Sequence, residues 1–344
     1  MAQDKAELVQ SSLACLDQSL LRQPFLLKPV GKDYIWGGAR LHSDFNLQGL
    51  EKIEPLAEAW VCSTHPDGAS RVISTDEDLR IVLRRHPEWL GTHPLTIIKG
   101  KPELPILIKL IDAKQDLSVQ VHPDDSYALK HEGQLGKTEM WYVLDATPNA
   151  SLVYGFSRKV TVTEIRKAIE NGTLERYLNR IPVCKGDIFF IEPGTVHAIG
   201  SGCLIAEVQE SSNVTYRLYD YNRKDKNGKK RELHIDKALD VMNFSSSTAP
   251  HQPMRVLNYK LGCAVELLAR CRYFQVERML INTEELQLQT ENNSFHTLLC
   301  VSGYGNCTSD IEQINFSKGD CIFVPAENAA LKLKGKAQLL NVSC

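Results

Sequence analysis

In the stretch LSVQVHP, Gln120 and His122 stand two residues apart, and on an extended strand such residues project from one face. An amide oxygen and an imidazole nitrogen side by side make a pair of metal ligands. Glu139, in the next strand-like run KTEMWYV, adds a carboxylate, and His197, at the turn after DIFFIEPGTV, adds a second imidazole. The four form a nitrogen and oxygen set without thiolates. Such a set suits zinc or another first-row divalent ion, with coordination positions open for water or a substrate oxygen. Taken singly, each residue reads as an ordinary packed or surface side chain. Taken in order (a same-face Gln/His pair, a strand with Glu, then Gly-Asp, strand, Pro-Gly and His), they are what a site inside a β-barrel requires.

The elements that would position them are short. From Phe25 onward, apolar runs such as ILIKLID, MWYVLD, SLVYGF, CLIAEVQ and TYRLYDY alternate with Gly, Pro, Asn and Asp punctuation, the rhythm of a mainly β sandwich or jelly-roll barrel. Helices interrupt it. Thr163 is placed to cap one in which Ile165, Ala168 and Ile169 share a face and Gly172 suits the left-handed end. Leu174, Tyr177 and Leu178 predict a second short helix before Pro182, and HIDKALDVMNF a third, with Ile235, Ala238, Leu239 and Met242 in register. Val9, Leu13, Leu16 and Leu20 predict an amphipathic helix over residues 6 to 22. The polar stretch SSSTAPHQP, 245 to 253, reads as a linker. An internal echo extends beyond it: KGDIFFIEPGTVHAI from Lys185 is matched by KGDCIFVPAENAAL from Lys318. The residue four past each proline is His197 in the first copy and Ala329 in the second, so the second copy has lost its ligand. The expected organisation is an N-terminal helical extension at 1–24, a main β domain with a helical insertion at 25–245, and a smaller β domain without metal ligands at 254–344.

Composition narrows the function. A chain of 344 residues with 43% hydrophobic and 24% charged residues has the make-up of an ordinary globular protein with more than one core. A net charge of -2 gives no reason to expect nucleic acid or an anionic membrane as partner, and a small-molecule site is the better expectation. YNRKDKNGKKRE, 221 to 232, carries six Lys or Arg residues around an Asn-Gly turn and reads mainly as a solvated loop. The ten cysteines are scattered singly, so most should be free thiols. The first 24 residues lack a basic stretch leading into an apolar core, and no apolar run reaches about 20 residues. A cytoplasmic protein without a membrane span is expected. The oligomeric state is not legible.

QVHPDD, KTEMWYVL, KGDIFFIEPGTVHAIG and SSNVTYRLYDYNR resemble successive motifs of the type I mannose-6-phosphate isomerases, in the short bacterial form of the cupin superfamily. The likeness continues through KDYIWGG, EAWVCSTHPDG and PILIKLIDAKQDLSVQVHP and spans most of residues 25 to 245. It implies cupin barrels, one zinc ion on Gln120, His122, Glu139 and His197, and a sugar-phosphate substrate. It also implies a catalytic arginine at Arg217, further active-site positions at Lys137 and Glu207, and a place for the substrate phosphate at Ser118. Gln120 stands where many cupins have a first histidine, which is also the isomerase pattern. Ser201 stands where the second cupin motif often has Asn.

What the resemblance implies is interconversion of mannose 6-phosphate and fructose 6-phosphate, moving a proton between C2 and C1 through an enediol. The metal acts as Lewis acid, Arg217 supports the developing oxyanion, Lys137 holds substrate hydroxyl or phosphate, and Glu207, its pKa raised by burial, carries the proton. Two other readings compete: a cupin enzyme acting on another hexose phosphate or an iron-dependent oxygenase, and a non-catalytic sugar-binding cupin with a structural ion. Against the site roles stand plain ones. Arg217 and Lys137 could pair with acidic neighbours, and Glu207 could face solvent. Trp60 and Trp141 read as core aromatics, His65 and His86 as surface loop residues before prolines, and Asp124 and Asp125 as caps of the turn after His122.

Overall fold

The computed structural model describes residues 22–224, 227–247, 256–328 and 330–344. Residues 6 to 21 of the expected helix, most of the expected linker and Ala329 lie outside them. The chain divides into two compact units. One holds Pro29–Gly68 and Ile106–Met254; the other gathers Ala69–Pro105 and the C-terminal part of the chain with the strand Phe25–Lys28. The contacts therefore do not follow an unbroken 25–245 domain. Phe25, Leu26 and Leu27 pair antiparallel with Phe323, Ile322 and Cys321, which ties the start of the fold to its end.

The first unit has two antiparallel sheets. Six strands lie in the order Ile188–Ile191, Glu139–Ala146, Cys203–Glu210, Ile106–Ala113, Glu58–Cys62 and Val30–Lys32. Five lie in the order Tyr216–Tyr219, Val119–Val121, His197–Ile199, Ser151–Phe156 and Leu178–Pro182. Alternation assigns the faces of the second sheet. Leu152, Tyr154 and Ile199 point into a core shared with Ile111, Trp141, Val143, Phe189 and Ile205 of the first. Val119, Val121, Val153 and Ala198 point the other way, into a core that the helices close with Ile165, Ala238 and Leu239. Each fully buried Val, Leu, Ile or Phe among these contributes roughly 1.5–3 kcal/mol. With Val119 and Val121 directed at the helices, Gln120 between them is directed inward.

Local chemistry sets the connecting segments. The helix Val162–Glu170 is capped by Thr161 and not by Thr163. Glu164, three residues on, accepts from the Thr161 backbone N–H at 2.9 Å while Thr161 Oγ1 accepts from Glu164 N–H, a reciprocal arrangement that Thr163 has no acidic partner to form. Gly172 takes φ +66 at the end, as expected. Leu174–Tyr177 is a single 3-10 turn, and Leu178 belongs to the strand that pairs with Ser151–Phe156; Pro182 is tolerated there because the strand is an edge. The third helix, Ile235–Val241, buries Ala238 and Leu239 as its pattern predicts. Asp124 caps Asp125–His131 by accepting from Tyr127 N–H, and Asp125 accepts from Gly136 N–H at 2.8 Å. Gly136 is needed for that approach: a Cβ there would lie 2.5 Å from the Asp124–Asp125 backbone.

The second unit is one nine-stranded antiparallel sheet whose long strands, Gln275–Leu288, His296–Thr308 and Leu331–Ser343, bury Met279, Ile281, Leu298, Leu331, Leu333 and Leu339 together. The nine described cysteines are all free thiols.

Candidate metal centre and active site

Two cross-strand rows assemble the site. In the six-stranded sheet Trp60, Lys109, Glu207 and Trp141 stand opposite one another on successive strands. In the five-stranded sheet Arg217, Gln120, His197 and Tyr154 do the same. Directly opposed residues keep their Cβ atoms about 4.5–5.5 Å apart, so each row lays polar groups side by side on an inward face. His122 follows the Val119–Val121 strand. Its carbonyl accepts from Gly194 N–H at 2.8 Å.

Between the rows lies Glu139, fully buried. Its Oε1 is 2.9 Å from His122 Nε2 and its Oε2 is 3.9 Å from His197 Nε2. The ligating atoms of His122, Glu139 and His197 all fall within 4.8 Å of one another. The Gln120 amide sits 3.5 Å from His197 Nε2, and a flip of that amide exchanges its nitrogen for the oxygen. The structure thus brings all four sequence-predicted ligands together.

The imidazoles are oriented for ligation. His122 Nδ1 lies 2.8 Å from the Val214 carbonyl and His197 Nδ1 2.8 Å from that of Thr195. A carbonyl can only accept, so each Nδ1 carries the proton and each Nε2 lone pair is bare. Burial and then the Lys137 charge push His122 down to about 3, and burial lowers His197 too; both rings are neutral. Burial alone would raise the pKa of Glu139, but Lys137 and then His122 hold it well below the usual carboxylate range. Lys137 Nζ lies against Glu139 Oε1, yet neither Glu139 oxygen has a well-formed hydrogen bond. An ionised, buried carboxylate with unused lone pairs, set between two bare imidazole nitrogens, fits a divalent cation.

The remaining predicted residues surround the same place. Lys137 Nζ is 3.3 Å from His122 Nε2. Ser118 Oγ is 3.5 Å from Gln120 Oε1 and accepts from Arg217 Nε at 3.3 Å. Glu207 is 3% exposed, not solvent-facing. Its Oε1 accepts from Trp141 Nε1 at 3.1 Å and its Oε2 pairs with Lys109 at 3.1 Å. Burial, then the Glu139 charge, raise its pKa against the pull of Lys109 and Lys137. Ser118, Gln120, Lys137, Glu207 and Arg217 all line one cavity of about 300 Å³.

Four plain readings need revision. Trp141 is a core residue but also a site residue, edge-on to His197 at 5.4 Å. His65 is buried, edge-on to Trp60, because its Nδ1 accepts from Asp67 N–H and folds the loop inward. His86 is half-buried, stacked on Trp89 at 4.3 Å. The basic run is solvated at Lys224, Lys229 and Lys230, but Arg223 and Arg231 pair with the buried Asp220. Sequence reasoning missed Glu58, Lys109, Asn213 and Arg231, which line the cavity. The available signal was a charge within each of two apolar runs, Glu58 in EAWVC and Lys109 in ILIKLIDA.

Residues 25–145 match the family described as phosphomannose isomerase type I, catalytic domain, and residues 265–344 match the mannose-6-phosphate isomerase cupin domain. The chain is 35% identical to the mannose-6-phosphate isomerase of Streptococcus mutans, over 93% of this chain and 98% of that one. To mannose-6-phosphate isomerase ManA of Bacillus subtilis it is 36% identical, over 92% and 98%. A crystal structure of the mannose 6-phosphate isomerase from Bacillus subtilis superposes with a TM-score of 0.81 at 32% identity, covering 93% of this chain and 99% of that one. The apo form from Salmonella typhimurium, at 16% identity and a TM-score of 0.72 over 93% and 98%, shares the fold.

Proposed function

Because the chain belongs to the type I phosphomannose isomerases, we propose that it interconverts mannose 6-phosphate and fructose 6-phosphate with one zinc ion on Gln120, His122, Glu139 and His197. The observation that carries this reading is the buried His-Glu-His group, its carboxylate oxygens unsatisfied, beside a cavity that also presents Glu207, Lys137 and Arg217. A non-catalytic ion has no use for those three side chains.

When bound, the ion supplies Lewis-acid stabilisation to the substrate's C1 and C2 oxygens. The chain's own residues do the rest. Glu207, as carboxylate, takes the proton from C2 of the open-chain sugar and returns it to C1, while the O2 hydroxyl proton passes to O1 so that the carbonyl moves from C1 to C2. Its raised pKa makes it a stronger base than an exposed carboxylate, and Lys109 at 3.1 Å and Trp141 hold it in place. Arg217, anchored through Nε to Ser118 and through Nη1 to the Glu232 carbonyl, steadies the enediolate charge. Lys137 orients a sugar hydroxyl. Trp36, Ile111, Leu117 and Ile199 form the apolar wall of the cavity and keep water from competing for the proton. Among the described residues no helix is long and apolar enough to cross a membrane, and a free sugar-phosphate substrate supports the cytoplasmic reading of the sequence.

A coupled assay on metal-stripped protein tests the proposal. Turnover should vanish on chelation and return with zinc, with manganese, cobalt and iron added back in parallel. Equal isomerisation by metal-free and zinc-loaded protein would refute the metal role.

A further inference from the structure

The basic side chains of the run from Tyr221 to Glu232 have no part in the chemistry above, yet Arg231 lines the cavity with Arg217 and Asn213. Its Nε donates to Asp220 Oδ2 at 2.8 Å and its Nη2 to Asp220 Oδ1 at 2.5 Å; Arg223 Nη2 reaches the same Oδ1 at 2.5 Å. The positive charges elsewhere in the cavity are matched. Lys109 lies 3.1 Å from Glu207 and 3.8 Å from Glu58, and Lys137 lies against Glu139. At the Arg217 end they are not. Asp220 is shared by Arg223 and Arg231, and among the described residues no carboxylate oxygen lies within 4 Å of the Arg217 guanidinium. Burial and the Arg231 charge both push the Arg217 pKa down, so two like charges are held near each other in a partly dry place. An anion between them removes that repulsion.

We propose that Arg231 anchors the phosphate of the sugar-phosphate substrate. This rests on the isomerase reading of the same cavity. A phosphate monoester carries close to two negative charges at neutral pH, which suits a cavity end where Arg217 has no described carboxylate within 4 Å and Arg231 shares Asp220 with Arg223. Asp220 occupies Nε and Nη2 of Arg231 and fixes the plane of its fork, leaving Nη1 for the ligand. Lys137, neutralised by Glu139, is the poorer phosphate partner and stays with the sugar hydroxyls.

The test uses full-length, zinc-loaded protein and the variants Arg231→Gln, Arg231→Lys and Lys224→Gln, each checked by thermal melting. Arg231→Gln should raise the KM for mannose 6-phosphate and the inhibition constant of inorganic phosphate by about 10- to 100-fold, as expected for a lost charge-assisted hydrogen bond, with kcat within about threefold. Arg231→Lys, which keeps a charge and spares the fold if the glutamine variant melts early, should show a smaller rise. Lys224→Gln removes an exposed charge from the same loop and should change both constants less than about twofold. An unchanged KM and phosphate constant in Arg231→Gln, an equal effect of Lys224→Gln, or a fall in kcat with KM unmoved would each overturn the assignment. If unaltered protein isomerises no hexose phosphate, the isomerase reading fails on its own, and calorimetric titration of the same variants with inorganic phosphate still decides the anchor.

Discussion

Glu210 offers a quantitative test of how the site is held. It is 1% exposed, its Oε1 accepts from Thr138 N–H at 2.7 Å, and its other oxygen is buried beside the Asp125 carboxyl. Burial and the nearby Asp125 carboxyl raise its pKa to about 8 from an ordinary 4.5, against the pull of Thr138. Because the folded value is the higher one, the native state binds the extra proton. The associated stability is present in full below about pH 4.5 and is lost as pH rises through about 8. At about 1.4 kcal/mol per pH unit, the whole linkage is worth at most about 5 kcal/mol. Glu210→Gln imitates the protonated carboxyl: the amide oxygen still accepts from Thr138 and the amide nitrogen donates to Asp125. The variant should match the parent at pH 5 and exceed it by about 3 kcal/mol or more at pH 9, read by urea unfolding with tryptophan fluorescence at fixed zinc. Since Thr138 joins Lys137 to Glu139, the parent should also lose isomerase activity above pH 8 more steeply than the variant. Stability curves that run parallel from pH 5 to 9 would show that Glu210 is ionised throughout and refute the reasoning.

Glu207→Gln should retain its metal while turnover falls by about 10²- to 10⁴-fold; metal analysis with the coupled assay checks this, and a loss under about fivefold would move proton transfer to another group. Lys109→Met strips the counter-charge from buried Glu207 and Glu58 and should destabilise by about 3–5 kcal/mol. Combining it with Glu207→Gln should recover a good part of that, and simple additivity in the double-mutant cycle would show the pair is not coupled.

The inward face of Gln120 was legible from strand periodicity: valines on either side of it face the helices, so the amide faces in; Glu139 and His197 joined it through their order along the chain and the family resemblance. That much needed no knowledge of which strands pair. Other features depended on distant partners. Phe25–Lys28 reads as the start of the main domain, but Leu26 pairs with Ile322, far along the chain, and no local signal reports that. The loop at 221–232 has the composition of a solvated segment whether or not its arginines are pinned; the buried Asp220 that pins them lies just outside the run. Lys109 was the more avoidable omission. A charge within a strand buried at all eight positions must be paired, and its register partner Glu207 was already a candidate.

The echo between Lys185 and Lys318 shows what separates a ligand-bearing turn from a structural one. Gly186 and Gly319 take φ +92 and +106, where a side chain would be strained. Asp187 and Asp320 each accept through Oδ2, at 2.8 Å, from the backbone N–H three residues earlier. Each Gly-Asp pair exchanges the same two backbone bonds with its neighbour strand, through Val143 in one copy and Cys300 in the other. The strands that follow are apolar in both. Register then makes Ile191 the partner of Glu139 and Val324 the partner of His296, so an imidazole occupies in the second copy the place that the central carboxylate holds in the first. His296 Nδ1 is bound instead to Asn341 Oδ1 at 2.8 Å. Without the charge of a buried carboxylate, neutral donors at that position have little hold on a divalent ion. The turn, the strand and the pairing survive because glycine, aspartate and apolar side chains specify them locally; the metal chemistry depends on what stands opposite.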